Sequence, residues 1–205
     1  MQTIVMNGWA ASPHAWDLCR FRRDRIVSYL EPDPVLDGPV VLVGWSLGGN
    51  RAIRLAAEHP TQVNALVLVS PVVRMMKDEG WQGMGEGRLK AFITAFEMFG
   101  GAGLGGHEYP VDPYGNFSHD ELMVGIDYLH DSDVRPCLAR LSPDLPITVF
   151  HSEGDIIARP NNAQVIRDVC PWARVEMVPG AEHTLPLTIP ERIDRALTEN
   201  CQIPP

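Results

Sequence analysis

The sequence predicts an α/β fold in which a mostly parallel sheet of about six strands is covered by helices and carries an inserted helical segment. Three observations predict this fold class. Short apolar runs alternate with helical patterns at both ends of the chain, which is typical of parallel strands joined by helices. The alternation is interrupted over residues 72–145. Finally, 205 residues suffice for one domain with an insertion.

The part of the chain before residue 72 shows the alternation clearly. Each predicted strand is a short apolar run that ends near turn-forming residues, and each predicted helix has apolar residues at helical spacing. In chain order we expect a strand over residues 3–6, a helix over 14–22, strands over 25–30 and 39–43, a helix from residue 48 to His59-Pro60, and a strand over 65–69.

The same alternation returns after residue 145. We expect strands over residues 147–151 and 174–178 and helices over 160–169 and 190–200, both of which begin with proline, a residue favoured at the first helical position. Between the two parts lie helix-like segments at 88–99 and 119–129. We therefore expect residues 1–71 and 146–205 to form the core domain and residues 72–145 to form a helical cap, or lid.

The composition excludes several classes of protein. With 17 Lys and Arg against 26 Asp and Glu, the formal charge is −9, which argues against binding to nucleic acid or to an anionic membrane surface. The first residues lack the features of a signal peptide, and no apolar run is long enough to span a bilayer. The four cysteines show no CxxC spacing, so we expect reduced thiols in a cytoplasmic protein.

The most informative motif is Gly44-x-Ser46-x-Gly48, which lies between a predicted buried strand and a predicted helix. This is the nucleophile elbow pattern, in which glycines allow a sharp turn that exposes the serine hydroxyl. The helix N-terminus that follows favours developing negative charge. The alternative is a glycine-rich turn with an idle serine, but the strand before it and the helix after it favour a nucleophile.

A serine nucleophile needs a base and a group that orients the base. His183 is our candidate base, because it lies in the loop after the last predicted strand, and open α/β sheets place their sites at the carboxyl ends of strands. Asp155 is the candidate acid in the loop after strand 147–151; Glu153 is its nearest rival, and a turn or helix-capping aspartate is the alternative reading. The competing histidines are His14, His59, His107, His119, His130 and His151.

Two backbone N–H groups are candidate donors to an oxyanion. One is that of Leu47, the residue after the nucleophile, and the other is that of Trp9, because Gly8 permits a tight turn. The Trp9 ring either forms a wall of the acyl pocket or belongs to the core. We expect no cofactor and no metal, since the sequence has neither metal-ligand spacing nor a phosphate-binding or dinucleotide-binding glycine motif.

These features resemble those of α/β-hydrolases, and more narrowly those of the pimeloyl-[acyl-carrier protein] methyl ester carboxylesterases of biotin synthesis. Members of that family carry His-Gly-Trp, Gly-Trp-Ser-Leu-Gly-Gly and Ser-Pro at the corresponding places. The matching segments here are Asn7-Gly8-Trp9, Gly44-Trp45-Ser46-Leu47-Gly48-Gly49, Ser70-Pro71, Trp81 with Gly83, Asp127-Tyr128-Leu129 and Asp133-Val134-Arg135.

The resemblance implies a set of substrate-binding residues and a partner. The acyl channel would be lined by Trp9, Ser46, Leu47, His183 and a cap helix containing Phe92 and Phe96, although that helix could simply pack on the core. Basic cap residues would bind an acidic acyl carrier protein, although scattered cations are commonly a solvated face. The candidate cations are Arg74, Lys77, Arg88, Lys90, Arg135 and Arg140.

Two departures from the family pattern affect the expected architecture. Asn7 replaces a histidine, which should change loop packing more than chemistry. The chain starts at what is usually the third strand, and only residues 31–38 separate two predicted strands where relatives have a helix. Eight extended residues span about 26–29 Å, enough to return along a strand but not to include a helix. This predicts the reduced sheet of about six strands.

The leading hypothesis is therefore a serine carboxylesterase that hydrolyses the methyl ester of pimeloyl-[acyl-carrier protein] through a Ser46–His183–Asp155 triad and an acyl-enzyme. A second hypothesis keeps the triad and assigns a broad short-chain carboxylesterase or thioesterase. A third is a non-catalytic binding protein on a hydrolase scaffold, against which the complete set of candidate catalytic residues argues.

Overall fold

A computed structural model describes residues 1–101, 110–180 and 182–201 of the chain. The strands are β1 Gln2–Met6, β2 Arg25–Val27, β3 Val40–Trp45, β4 Val63–Val69, β5 Ile147–Ser152 and β6 Arg174–Val178. The helices are α1 Leu47–Glu58, α2 Glu86–Phe99, α3 His119–Asp131, α4 Arg135–Leu138, α5 Asn161–Val169, α6 Leu185–Thr188 and α7 Pro190–Cys201. His107 and the side chain of Cys201 lie outside the described residues.

The strands form one sheet in the order β2-β1-β3-β4-β5-β6. Every pairing is parallel. The number of strands, their direction and the helical connections confirm the predicted α/β class with a reduced sheet. Because the strands are parallel, the loops that follow β1, β3, β5 and β6 all lie at the same edge of the sheet, where α/β sheets place their sites.

Helices cover both faces of the sheet. All residues of β3 are buried; Val40 and Leu42 face a core that includes residues of α1, α4 and α5. Val41 and Val43 face a second core, which contains Trp16 and residues of α6 and α7. Burial on both faces explains why the strand reads as a continuous apolar run instead of an alternating pattern.

The predicted helix over residues 14–22 is wrong, because only a short 3-10 helix forms, over Pro13–Trp16. Side chains take up the backbone hydrogen bonds that a longer helix would use. The Arg23 guanidinium donates to the carbonyls of Trp16 and Cys19. The N–H groups of Arg20 and Phe21 donate to the carboxylate of Asp194 on α7, at 2.9 and 3.0 Å.

Other boundaries differ less. The predicted strand over residues 25–30 ends at Val27, because the Ser28 N–H donates to the Glu31 carboxylate and the Glu31 N–H donates to the Ser28 carbonyl, which makes a turn. The short helices α4 and α6 are absent from the sequence prediction. Each has four residues and carries proline in its first turn, and so short a segment shows too little periodicity to predict a helix.

A buried arginine accommodates the short connection over residues 31–38. Arg51 projects from α1 and is only 4% exposed. Its guanidinium donates to the Asp33 carboxylate at 2.8 Å and to the carbonyls of Ser28 and Glu31 at 2.9 and 2.8 Å. These charge-assisted bonds satisfy backbone groups that lack a helix of their own, so one side chain of α1 replaces the missing element.

The segment between β4 and β5 contains α2, α3 and α4. Helix α3 starts at a capping box in which the Ser118 hydroxyl and the Glu121 carboxylate each bond the other residue's backbone N–H. The helices α2 and α3 bury Leu89, Phe96 and Leu122 in a cluster with Trp9 and Leu47. We propose that residues 72–145 form a cap on a core made of residues 1–71 and 146–205. None of the helices in the described ranges has both the length and the apolar character that a membrane span needs.

Candidate active site

Ser46 lies in a strained turn between β3 and α1. Its φ and ψ are 55° and −117°, a region that is costly for a residue with a Cβ. Glycines permit the turn: a Cβ on Gly44 would be 2.6 Å from the Gly48 carbonyl oxygen, and a Cβ on Gly48 would overlap the Met6 carbonyl of β1. The turn thus packs against β1 and aims the serine side chain out of the sheet.

The structure brings Ser46, His183 and Asp155 together. The distance from His183 Nε2 to Ser46 Oγ is 3.0 Å, and that from His183 Nδ1 to Asp155 Oδ2 is 2.7 Å. These distances fit the tautomer in which Nδ1–H donates to the carboxylate and Nε2 accepts a hydrogen bond from the serine hydroxyl. Chemically, it can deprotonate a serine hydroxyl and stabilise the imidazolium that forms.

The Asp155 carboxylate is fixed by its own loop. Its Oδ1 accepts from the N–H groups of Ile157 and Ala158, at 2.8 and 2.9 Å, which leaves Oδ2 for His183. Asp155 is 2% exposed, whereas its rival Glu153 is exposed and its N–H donates to the Val178 carbonyl. Position in the loop, rather than residue type, separates the two carboxylates.

The other described histidines lie elsewhere. His14, His119 and His130 pair with surface carboxylates. His59 ends α1, and His151 is buried beneath the Asp155 loop, where its Nε2 contacts the Ala158 carbonyl. Among the described histidines, His183 is the one within hydrogen-bond distance of Ser46.

The loop after β1 contains Trp9, whose N–H is one of the two predicted oxyanion donors. A Cβ on Gly8 would lie 3.4 Å from Ser46 Cβ, so the Gly8–Trp9 backbone passes beside Ser46. Leu47 is the first residue of α1, where backbone N–H groups are free of helical partners. Asn7 orders this loop: its side chain donates to the carbonyls of Ala11 and Ser12 and accepts from Trp16 Nε1.

A mainly apolar pocket opens onto Ser46 and His183. Of the predicted substrate-binding residues, Trp9 and Phe92 also line it; Phe96 packs behind them, with its ring 4.7 Å from that of Trp9, and Leu47 is buried without lining the pocket. Sequence reasoning missed the lining residues Trp45, Val72, Met75, Tyr114, Leu129 and Ile157.

Tyr114 connects the pocket to the histidine loop. Its hydroxyl lies 3.3 Å from Thr184 Oγ1, and its ring packs on Trp45, whose Nε1 donates to the His183 carbonyl at 3.1 Å. Burial raises the pKa of Tyr114, so the phenol stays neutral. No local motif marks Tyr114 in the sequence, because its position depends on the fold of the segment between β4 and β5.

Comparison with known proteins identifies the family. The alpha/beta hydrolase fold family matches residues 11–97. A pimeloyl-[acyl-carrier protein] methyl ester esterase of Nitrosospira multiformis is 30% identical over 188 residues, which cover 82% of this chain and 68% of that protein. The esterase of the same name from Chromobacterium violaceum is 28% identical, with 97% and 82% covered.

Solved structures agree at the level of the fold. An esterase from Exiguobacterium antarcticum has a TM-score of 0.72 at 19% identity and covers 98% of this chain and 92% of its own. A hydrolase from Oleispira antarctica has a TM-score of 0.73 at 14% identity, with 98% and 91% covered.

The chain belongs to the α/β-hydrolase family, and it is a carboxylic ester hydrolase. Within that family it is a relative of the pimeloyl-[acyl-carrier protein] methyl ester esterases.

Proposed function

We propose that this protein is a serine esterase that hydrolyses the methyl ester of pimeloyl-[acyl-carrier protein] in biotin synthesis. The observation that carries the proposal is the hydrogen-bonded series Ser46–His183–Asp155 on the wall of an apolar pocket. The names of the relatives from Nitrosospira multiformis and Chromobacterium violaceum supply the substrate. We also propose a cytoplasmic location, which agrees with the buried free thiols of Cys19, Cys137 and Cys170.

In the proposed mechanism, Ser46 Oγ attacks the ester carbonyl carbon while His183 Nε2 accepts the hydroxyl proton. The resulting oxyanion accepts hydrogen bonds from the N–H groups of Trp9 and Leu47. His183 then protonates the departing methanol oxygen, which leaves the acyl group on Ser46. A water molecule, deprotonated by His183, then attacks the acyl carbonyl carbon. His183 returns that proton to Ser46 Oγ as the bond between Oγ and the acyl carbon breaks, which releases the carboxylic acid and restores the Ser46 hydroxyl. Asp155 stays ionised and keeps the imidazole in the required tautomer.

The lining of the pocket fits a neutral acyl chain. Apart from His183, its lining residues carry no charged side chain. Burying a free carboxylate there would therefore be unfavourable, whereas methylation removes that charge. This chemistry supports a methyl ester as the substrate and the free acid as a product that leaves.

The structure narrows the choice of cations for carrier docking. Arg74 donates to the carbonyls of His130 and Ser132, and Arg135 is paired with Asp78 and Asp133, so these two arginines have structural partners. The other candidate side chains are exposed and have no ion pair among the described residues; they are Lys77, Arg88, Lys90 and Arg140.

Arg88 is the cation best placed for a carrier. Its guanidinium contacts the carbonyl of Ile156 at 3.3 Å, and the next residue, Ile157, lines the pocket. An acyl chain that leaves the pocket along this side would bring its attached carrier to α2. A local cation is needed here, because the chain and an acidic carrier repel each other at long range.

The first test measures hydrolysis of pimeloyl-carrier-protein methyl ester by the purified protein, with Ser46→Ala as control. The comparison substrates are the free methyl ester of pimelate and p-nitrophenyl butyrate. We expect Ser46-dependent release of methanol, with kcat/KM for the carrier-bound ester at least about 100-fold above that for the free methyl ester of pimelate, which corresponds to about 2.7 kcal/mol of carrier contacts. Cleavage of p-nitrophenyl butyrate alone would favour the hypothesis of a short-chain carboxylesterase. If wild-type protein cleaves no ester and a fluorophosphonate fails to label Ser46, a binding protein becomes the better assignment.

The second prediction concerns Arg88. We expect Arg88→Glu to raise KM for the carrier-bound ester about tenfold at low salt, and the difference from wild type to shrink as salt screens the charges. Steady-state kinetics with the carrier-bound ester and with p-nitrophenyl butyrate measures this effect. KM for p-nitrophenyl butyrate, which has no carrier, should change less than about twofold.

The matched control is Arg22→Glu, an identical charge change next to Asp24, near the amino end of β1 and so far from the pocket. An equal rise in KM for Arg22→Glu would show that net charge, rather than a local contact, controls carrier affinity.

A further inference from the structure

His151 is a fully buried histidine that the proposed mechanism does not use. It lies near the end of β5, is 0% exposed, and sits four residues before Asp155. On the same face of β5 lie Ile147 and Val149, which belong to the apolar core. An imidazole at such a position is costly to bury unless its polar atoms form hydrogen bonds.

One of its nitrogen atoms holds the acid loop. The distance from His151 Nε2 to the carbonyl oxygen of Ala158 is 2.6 Å, so Nε2–H donates to that carbonyl. The N–H of Ala158 in turn donates to Asp155 Oδ1 at 2.9 Å. A single peptide residue thus connects the imidazole to the carboxylate that orients His183.

The surroundings of His151 favour its neutral form. Burial lowers the pKa of His151, against the opposing attraction of Asp155. In the Nε2–H tautomer its Nδ1 carries a lone pair and no proton, and this atom has no hydrogen-bond partner among the described residues. A neutral donor adds no positive charge that would compete with His183 for the carboxylate.

We infer that His151 is a positioning residue, whose Nε2–H fixes the Ala158 carbonyl and thereby holds Asp155 in line with His183. This inference rests on the proposed function of the Ser46–His183–Asp155 series. Without the bond from Nε2, the turn over residues 155–158 loses a buried partner for its last carbonyl. The carboxylate can then rotate away from Nδ1 of His183, and small misplacements of catalytic groups have large effects on rate.

The test compares His151→Phe, which keeps a ring but has no donor, with His151→Gln, whose amide nitrogen reaches about as far as Nε2. We expect His151→Phe to lower kcat for p-nitrophenyl butyrate about 10- to 100-fold with KM changed less than twofold. We expect His151→Gln to recover most of kcat. The low-field proton resonance of the His183–Asp155 hydrogen bond should be lost in His151→Phe and retained in His151→Gln.

Val149→Ala is the control, because it removes buried volume from the same face of β5 at a greater distance from the acid loop; it should lower stability and leave kcat within about twofold. Wild-type kcat in His151→Phe, or equal losses in Phe, Gln and Val149→Ala variants, would overturn the inference. If His151→Phe does not fold, the ¹⁵N shifts of wild-type protein still test it, since Nδ1-protonated or doubly protonated His151 contradicts the assignment.

These outcomes are separable from failure of the proposed function. If wild-type protein cleaves p-nitrophenyl butyrate with no dependence on Ser46, the triad proposal fails whatever the His151 variants do. If cleavage depends on Ser46 and is insensitive to His151, only the positioning role fails. The simple ester makes the comparison independent of the carrier.

Discussion

Ser46→Ala is expected to lower kcat for any ester substrate by about 10⁴- to 10⁶-fold. Alanine has no hydroxyl oxygen to attack the carbonyl carbon, so no acyl-enzyme forms, and only pocket binding and oxyanion contacts remain. The fold should persist, because the Ser46 side chain bonds to His183 while its main chain makes the contacts of the turn: its N–H donates to the Val69 carbonyl and its carbonyl accepts from Gly49 and Val72.

Single-turnover hydrolysis of p-nitrophenyl butyrate, together with fluorophosphonate labelling, measures this loss. Ser46→Gly provides a matched variant, since it removes the same hydroxyl and also relieves the positive φ of 55°. We expect Ser46→Gly to be equally inactive and about 1–2 kcal/mol more stable than Ser46→Ala in denaturant titration. Activity of Ser46→Ala within tenfold of wild type would exclude Ser46 as the nucleophile.

Gly48→Ala is expected to produce the largest loss of stability among single methyl additions at the elbow. The new Cβ would overlap the carbonyl oxygen and carbon of Met6. Both are backbone atoms of β1, so no side-chain rotation can relieve the overlap, and α1 would have to move away from the sheet. We expect the free energy of unfolding to fall by about 4 kcal/mol or more, which is exceptional for one residue.

Urea titration and the yield of soluble protein measure the effect, and two glycine variants grade it. A Cβ on Gly49 would meet the Pro71 side chain at 2.8 Å, so Gly49→Ala should cost less. A Cβ on Gly87 of α2 meets nothing within 4 Å, and alanine there should stabilise the protein by about 0.5–1 kcal/mol. Equal stability of Gly48→Ala and Gly87→Ala would contradict the close packing of α1 on β1.

The sequence predicted the sheet because local pattern and tertiary position agree there. The runs over residues 40–43 and 65–69 are apolar at every position, and both are buried on two faces of the sheet. The elbow glycines could be recognised for a related reason. The tight turn around Ser46 requires residues without a side chain at Gly44 and Gly48, and that spacing is visible in the sequence. Loop position after β5 and β6 then led to Asp155 and His183.

Elements fixed by distant partners could not be predicted. Residues 14–22 have helical spacing, but Asp194, more than 170 positions away, bonds the N–H groups of Arg20 and Phe21. In the sequence, Arg51 is simply a polar position of the α1 pattern, and no neighbouring residue indicates that its guanidinium bonds residues 28–33. The lining residue Tyr114 depends in the same way on how the segment between β4 and β5 folds back over the sheet.

The loop that follows β1 and passes beside Ser46 shares backbone hydrogen bonds with the segment between β4 and β5. The Gly115 N–H donates to the Ala10 carbonyl at 3.0 Å, and the Ser12 N–H donates to the Pro113 carbonyl at 2.8 Å. A chimera that exchanges residues 72–145 for those of a relative would therefore replace one partner of each of these hydrogen bonds, together with the wall of the pocket that this segment forms. Transplanting specificity into this protein requires residues 10–12 and 113–115 to be exchanged as one unit.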